Sequence, residues 1–132
     1  MTFYEEKLSH LKETCFSNDW QIETVIGTRN FIDNNYEKEL NLELLSRIRF
    51  TSKFHLLRLF KRYYGMTPKQ YLMDKRIERA KNKLRNGLTV TETCFAVGFE
   101  SLGSFSSLFK TKTGISPREY QKQQLSRSNL MG

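Results

Sequence analysis

Between residues 52 and 64, apolar side chains recur three and four places apart at Leu56, Leu59, Phe60 and Tyr63, while Lys53, Phe54, Leu57, Arg58 and Lys61 fall on the other side. That spacing is the stripe of an amphipathic helix rather than the alternation of a strand. Ser52 stands where an N-cap hydroxyl accepts a backbone N–H, and Gly65 stands where left-handed geometry closes a helix. Just beyond, Thr67-Pro68-Lys69-Gln70 combines a capping hydroxyl, a proline at the first helical position and Gln three places after the cap, so a new helix starts there. It has Tyr71, Leu72, Ile77, Ala80 and Leu84 on one side, a dense Lys/Arg set on the other, and a stop at Asn86-Gly87. Pro68–Arg85 therefore reads as a connector of about 26 Å at 1.5 Å per residue. Upstream, Asn41–Ile48 is a shorter apolar-periodic segment, Trp20–Asn34 reads as a leading helix weakened by Gly27, and Tyr4, Leu8, Leu11 and Cys15 are spaced roughly as on a helix.

The pattern recurs. Shifted by 49 residues, the stretch 51–71 aligns without gaps on 100–120, with seven of 21 positions identical: Ser52/Ser101, Leu59/Leu108, Phe60/Phe109, Lys61/Lys110, Gly65/Gly114, Pro68/Pro117 and Tyr71/Tyr120. Unrelated stretches would match at roughly one position, so one supersecondary unit occurs twice. The second copy buries Phe105, Leu108 and Phe109 and presents Leu102, Gly103, Ser106, Ser107 and Lys110. Val90–Val97 precedes it, opened by a Thr89/Glu92 capping box and followed by Gly98 in the turn. Short helix, tight turn and second helix is the helix-turn-helix pattern. The expected organisation is an N-terminal extension (1–18), a first lobe (19–67), the connector (68–86), a second lobe (87–123) and a flexible tail (124–132).

Charge sharpens this picture. Residues 1–39 carry four Lys/Arg against eight Asp/Glu, a local −4; residues 40–132 then hold eighteen against six, a local +12, within a net +8. A one-sided basic excess suits a polyanion, because each neutralised phosphate releases condensed counterions; a solubilising surface is the alternative. Cys15 and Cys94 lack metal-ligand spacing, and Cys94 falls at a small-residue core position that favours a buried inert thiol, with a redox sensor as the alternative. No metal or cofactor is expected. There is no phosphate loop, nucleophile elbow or acid–base pair, so an enzyme is not expected. No apolar stretch reaches the ~20 residues of a membrane span, and the acidic N-terminus is unlike a signal peptide, which makes the cytoplasm the expected compartment.

Two motifs, Ser52…Arg58-Leu-Phe-Lys61…Gly65…Pro68…Tyr71 and Gly98-Phe99…Ser101…Phe105…Leu108-Phe-Lys110…Gly114…Ser116-Pro117…Tyr120, are joined by Arg76-Ile-Glu-Arg-Ala80…Leu84. Over Trp20–Gln123 the chain resembles the AraC/XylS family of bacterial transcription regulators, in particular its stand-alone short members. The resemblance implies an all-α, homeodomain-like, seven-helix fold of two helix-turn-helix lobes, with helices 53–63 and 102–112 in successive major grooves. It also implies activation through RNA polymerase. The chain departs from the family where Ser46 replaces a small residue, Phe50 a turn glycine, and Gly103 and Ser107 the customary Gln or Arg.

On this reading Arg58 is the candidate for direct readout, since a guanidinium can bridge guanine O6 and N7; a backbone contact is its alternative. Phe54 and Leu57 would pack on thymine methyls and sugars, or be ordinary surface residues. Lys61, Arg62, Lys110 and Lys112 are candidates for phosphate, with solvated charges as the alternative. Ser52, Lys53, Ser101, Leu102, Gly103, Ser106 and Ser107 complete the expected interface. The expected partner is a bipartite operator of about 20 bp, bound by a monomer or weak dimer. A non-specific architectural DNA binder and a protein-interaction module are the rival classes.

Overall fold

A computed structural model describes the backbone of residues 3–131 and the side chains of residues 18–129. Seven helices follow in order: α1 (Phe3–Asn35), α2 (Leu42–Ile48), α3 (Lys53–Tyr64), α4 (Pro68–Arg85), α5 (Val90–Ala96), α6 (Leu102–Thr113) and α7 (Pro117–Met131), with no strand among the described residues. The leading helix and the N-terminal extension are thus one continuous α1. The side chains of the Tyr4–Leu8–Leu11–Cys15 spacing lie outside the described ones. At the other end α7 carries helical backbone to Met131, past the point where a flexible tail was expected to begin.

The helices form two compact units, one of residues up to Asn34 with Asn41–Lys69, the other of Asn35–Leu40 with the chain from Gln70 onward. In the first unit α1 buries Thr24, Val25, Thr28 and Ile32, one face of the helix, and α2 and α3 bury Leu45, Leu56, Leu59 and Phe60. The Thr24 and Thr28 hydroxyls are satisfied locally, donating to the carbonyls of Trp20 and Thr24 at 2.8 and 2.7 Å. Gly27, which weakens α1 on propensity, has a packing reason. A Cβ there would stand 2.4 Å from the Arg49 guanidinium carbon, and Arg49 Nη2 donates to the Gly27 carbonyl at 2.8 Å.

One core assignment is corrected. Tyr63 is 42% exposed, and the half-buried residue is Tyr64, whose ring lies 4.8 Å from that of Phe60. Positions three and four beyond Phe60 both satisfy helical spacing, and packing decides between them.

The second unit is built on α4. Ile77, Ala80 and Leu84 join Cys94, Val97, Phe99, Phe105 and Phe109 in one buried cluster. Its rings touch in sequence, Phe99–Phe105 at 5.2 Å, Phe105–Phe109 at 5.8 Å and Phe109–Tyr120 at 5.5 Å, in tilted or edge-to-face arrangements. From Gln70 on, the expected connector is therefore part of a hydrophobic core. Arg76 on α4 is buried, donating through Nε to the Tyr36 carbonyl at 2.7 Å and through Nη2 to the Lys38 carbonyl at 2.8 Å, with Phe99 5.5 Å beneath its guanidinium. Burial draws its pKa down, and the Glu37 carboxylate pushes back. Gln121 Nε2 on α7 donates to the Leu84 and Leu88 carbonyls at 3.0 and 2.6 Å, closing the end of α4.

The structure also settles the first turn. α2 and α5 are related by 48 residues, with N-caps Asn41 and Thr89 and buried Ser46 and Cys94, whereas α3 and α6 are related by 49, with N-caps Ser52 and Ser101. One extra residue sits in the second turn. Phe50 and Gly98 are therefore counterparts, and both have positive φ, 54° and 103°.

Candidate nucleic-acid interface

Each candidate reading helix is fixed at both ends by local chemistry. The Ser52 Oγ accepts from His55 N–H at 3.1 Å, and Gly65, at φ 72°, returns its N–H to the Lys61 carbonyl at 2.8 Å. In α6 the Ser101 Oγ accepts from Ser104 N–H at 3.2 Å, and Gly114, at φ 88°, donates to the Lys110 carbonyl at 2.7 Å. Both helices turn two aromatic or aliphatic anchors into the core at equivalent places, Leu56/Phe60 and Phe105/Phe109. The rotation of each helix about its own axis is thereby set, and with it the residues left outside.

On α3 the outside is charged and aromatic. Phe54 is 72% exposed, and Lys53, Arg58, Lys61 and Arg62 are exposed, with Leu57 and His55 half-buried at the two shoulders. Arg58, Lys53 and Lys61 make no ion pair among the described residues, so their charge is not compensated locally. Arg62 lies 5.9 Å over the Tyr63 ring.

On α6 the outside is small and neutral: Leu102, Gly103, Ser107 and the cation Lys110 are exposed, and Ser106 is half-buried. The Ser101 hydroxyl is engaged within the cap, donating to Ser104 Oγ at 2.9 Å. Lys112 does not share this face. Two residues beyond Lys110, it falls on the side of Phe105 and Phe109 and pairs through Nζ with Asp74 on α4 at 2.8 Å. A count of basic residues hides such a difference, because in it Lys110 and Lys112 look alike.

A cleft of about 460 Å³ in the second unit is lined by Glu37, Glu39 and Glu100 together with Arg76, Phe95 and Phe99. Three carboxylates give it the wrong sign for a polyphosphate. Among the described residues no group of His, Cys, Asp or Glu is placed to hold a metal ion, and no helix is long and apolar enough to cross a membrane. Cys94 is fully buried, and burial raises its thiol pKa, the opposite of an activated cysteine. Sequence reasoning missed Trp20, whose indole stacks on His55 with ring centroids 5.7 Å apart and planes within 17°.

Comparison with known proteins agrees with the geometry. Residues 45–123 match the family of the helix-turn-helix domain. The bifunctional transcriptional activator/DNA repair enzyme AdaA of Bacillus subtilis is 32% identical over 93 residues, covering 70% of this chain and 44% of that protein. The C-terminal domain of the two-component response regulator yesN from Fusobacterium nucleatum is 32% identical, with a TM-score of 0.69 over 71% of this chain and 93% of that one. The DNA-binding domain of AdpA, a global transcriptional factor solved in complex with a target DNA, shares the fold at 22% identity, with a TM-score of 0.75 over 78% of this chain and 94% of that one. The chain spans between 31% and 55% of the length of the first curated relatives it matches.

Proposed function

This chain belongs to the AraC/XylS family of helix-turn-helix transcription regulators, and from that premise we propose that it binds double-stranded DNA sequence-specifically, with α3 and α6 in successive major grooves and α3 supplying most of the discrimination. The observation that carries the reading is the contrast between the two outer faces. Phe54, Leu57 and Arg58 offer α3 an apolar platform and a guanidinium without an ion-pair partner among the described residues, groups able to tell one base edge from another. Leu102, Gly103, Ser106 and Ser107 offer α6 short groups that discriminate weakly, with Lys110 to meet phosphate. Ser52, Lys53, Lys61 and Arg62 position α3 on the backbone, as Ser101 does for α6. Lys112, tied to Asp74, is left out of the interface.

The relatives' names as transcriptional activators, AdaA among them, support activation, and the family resemblance supports contact with RNA polymerase. The regulator acts as a monomer or weak dimer on an operator of about 20 bp and works in the cytoplasm without catalysing a reaction. Selection of bound duplexes from a random pool tests the proposal. A two-part motif about 10 bp apart, sharper in one half, is the expected result. Salt-dependent binding with no enriched motif would instead make the protein an architectural DNA binder, and no salt-dependent DNA binding at all would leave a protein-interaction module.

A further inference from the structure

We propose that Trp20 on α1 is a DNA-backbone contact held in place by His55, so that the first unit's interface extends beyond the helix-turn-helix itself; this rests on the DNA-binding reading above. Trp20 lies outside the residues 45–123 that match the family. It is the protein's single tryptophan. Its indole stacks on His55, which stands three residues before Arg58 and seven before Arg62 and so borders the flank of α3 on which those two cations are exposed. The stack is offset, with ring centroids 5.7 Å apart, and the residue stays 38% exposed.

A tryptophan on a surface has an apolar body that gains from packing and a single N–H donor that wants an acceptor. Stacking on an imidazole satisfies the first need. A phosphate oxygen at the edge of the major groove satisfies the second, and deoxyribose covers the remaining ring area. Asp19 and Glu23 are exposed on the same stretch of α1. They keep α1 from closer approach, so Trp20 contributes one neutral contact rather than part of a basic patch. Its role is positional and carries no sequence information. His55 is the positioning residue, its own helix fixed by the Ser52 cap that its backbone N–H serves.

Because no other tryptophan is present, emission from the intact protein reports on Trp20 alone. Titration with a selected duplex, with binding scored independently by mobility shift, should quench or shift that emission in step with complex formation. Trp20→Ala and Trp20→Phe should both weaken binding roughly three- to tenfold, equally for cognate and scrambled duplexes, as loss of one neutral hydrogen bond predicts. Phe preserves the ring stack without the N–H, so a loss shared by both variants separates the contact from support of the fold. His55→Ala should remove most of the emission change on binding. A duplex that binds without altering the emission, or Trp20→Phe with unchanged affinity, would overturn the proposal while leaving the DNA-binding reading intact. Failure to bind any duplex would overturn both.

Discussion

Phe50 and Gly98 hold equivalent places in the two helix-turn-helix turns, both with positive φ, yet one is an aromatic residue 94% exposed to solvent and the other a glycine pressed against its neighbours. A left-handed non-glycine residue costs about 1–2 kcal/mol. Phe50 carries that cost in open solvent. A Cβ on Gly98, by contrast, would lie 2.9 Å from the Glu37 carbonyl oxygen and 3.0 Å from Arg76. The two turns share a backbone shape and differ in what surrounds it.

Phe50→Gly should therefore stabilise the protein, by about 0.5–1 kcal/mol after the entropy of the new glycine is subtracted. Gly98→Ala should destabilise it by about 2–4 kcal/mol, since strain and a backbone clash act together. Urea denaturation of both variants reads the pair. Equal and small effects would mean that the turns are interchangeable.

For DNA, Arg58→Ala should flatten the preference between cognate and scrambled duplexes, by about 1–3 kcal/mol of discrimination. Lys110→Ala should weaken both alike and reduce the salt slope by about one. Lys112→Ala should leave the slope unchanged, because its Nζ is spent on Asp74. Binding titrations over a range of salt concentrations distinguish the three.

Thr93 in α5 is fully buried, and its Oγ1 has no hydrogen-bond partner among the described residues. An unpaired hydroxyl in an apolar site costs about 1–3 kcal/mol. Thr93→Val, close in shape, should raise stability by about 1 kcal/mol and Tm by a few degrees. A lower Tm would mean that the hydroxyl is satisfied in solution.

Cys94 should resist thiol reagents until the protein unfolds. In a Cys15→Ser background its rate of modification should follow the unfolding rate. The sign of its pH effect is definite. A thiol pKa raised by burial gives stability that is complete below the ordinary value near 9.0 and is lost as pH rises above it. Denaturation midpoints should fall on the alkaline side and be flat in neutral solution as far as this group is concerned. A Cys94→Ala variant should lack that alkaline decline.

Much of the architecture was legible because helix ends are encoded locally. Ser52, Thr89 and Ser101 announce starts and Gly65 and Gly114 announce stops, each through chemistry within four residues. What escaped was non-local or ambiguous by one position. No sequence signal pairs Arg76 with the Tyr36 and Lys38 carbonyls some forty residues back, or Trp20 with His55. The extra residue before Ser101 is invisible to a gapless alignment that begins at 51, and Tyr63 and Tyr64 fit the helical stripe equally well. Of the expected interface, the α3 face is assembled as periodicity suggests. The ion pair that draws Lys112 away from the Lys110 face was not legible, because its partner, Asp74, belongs to another helix.

An added Cβ at Gly103 meets nothing within 4 Å, and Ser107 beside it is exposed. Long side chains can be grafted at both positions without disturbing Phe105 or Phe109 beneath them. If α6 enters a major groove as proposed, it is a blank type slug: a scaffold already folded and capped, on which two substitutions should write a new half-site preference, whether by an engineer or by drift.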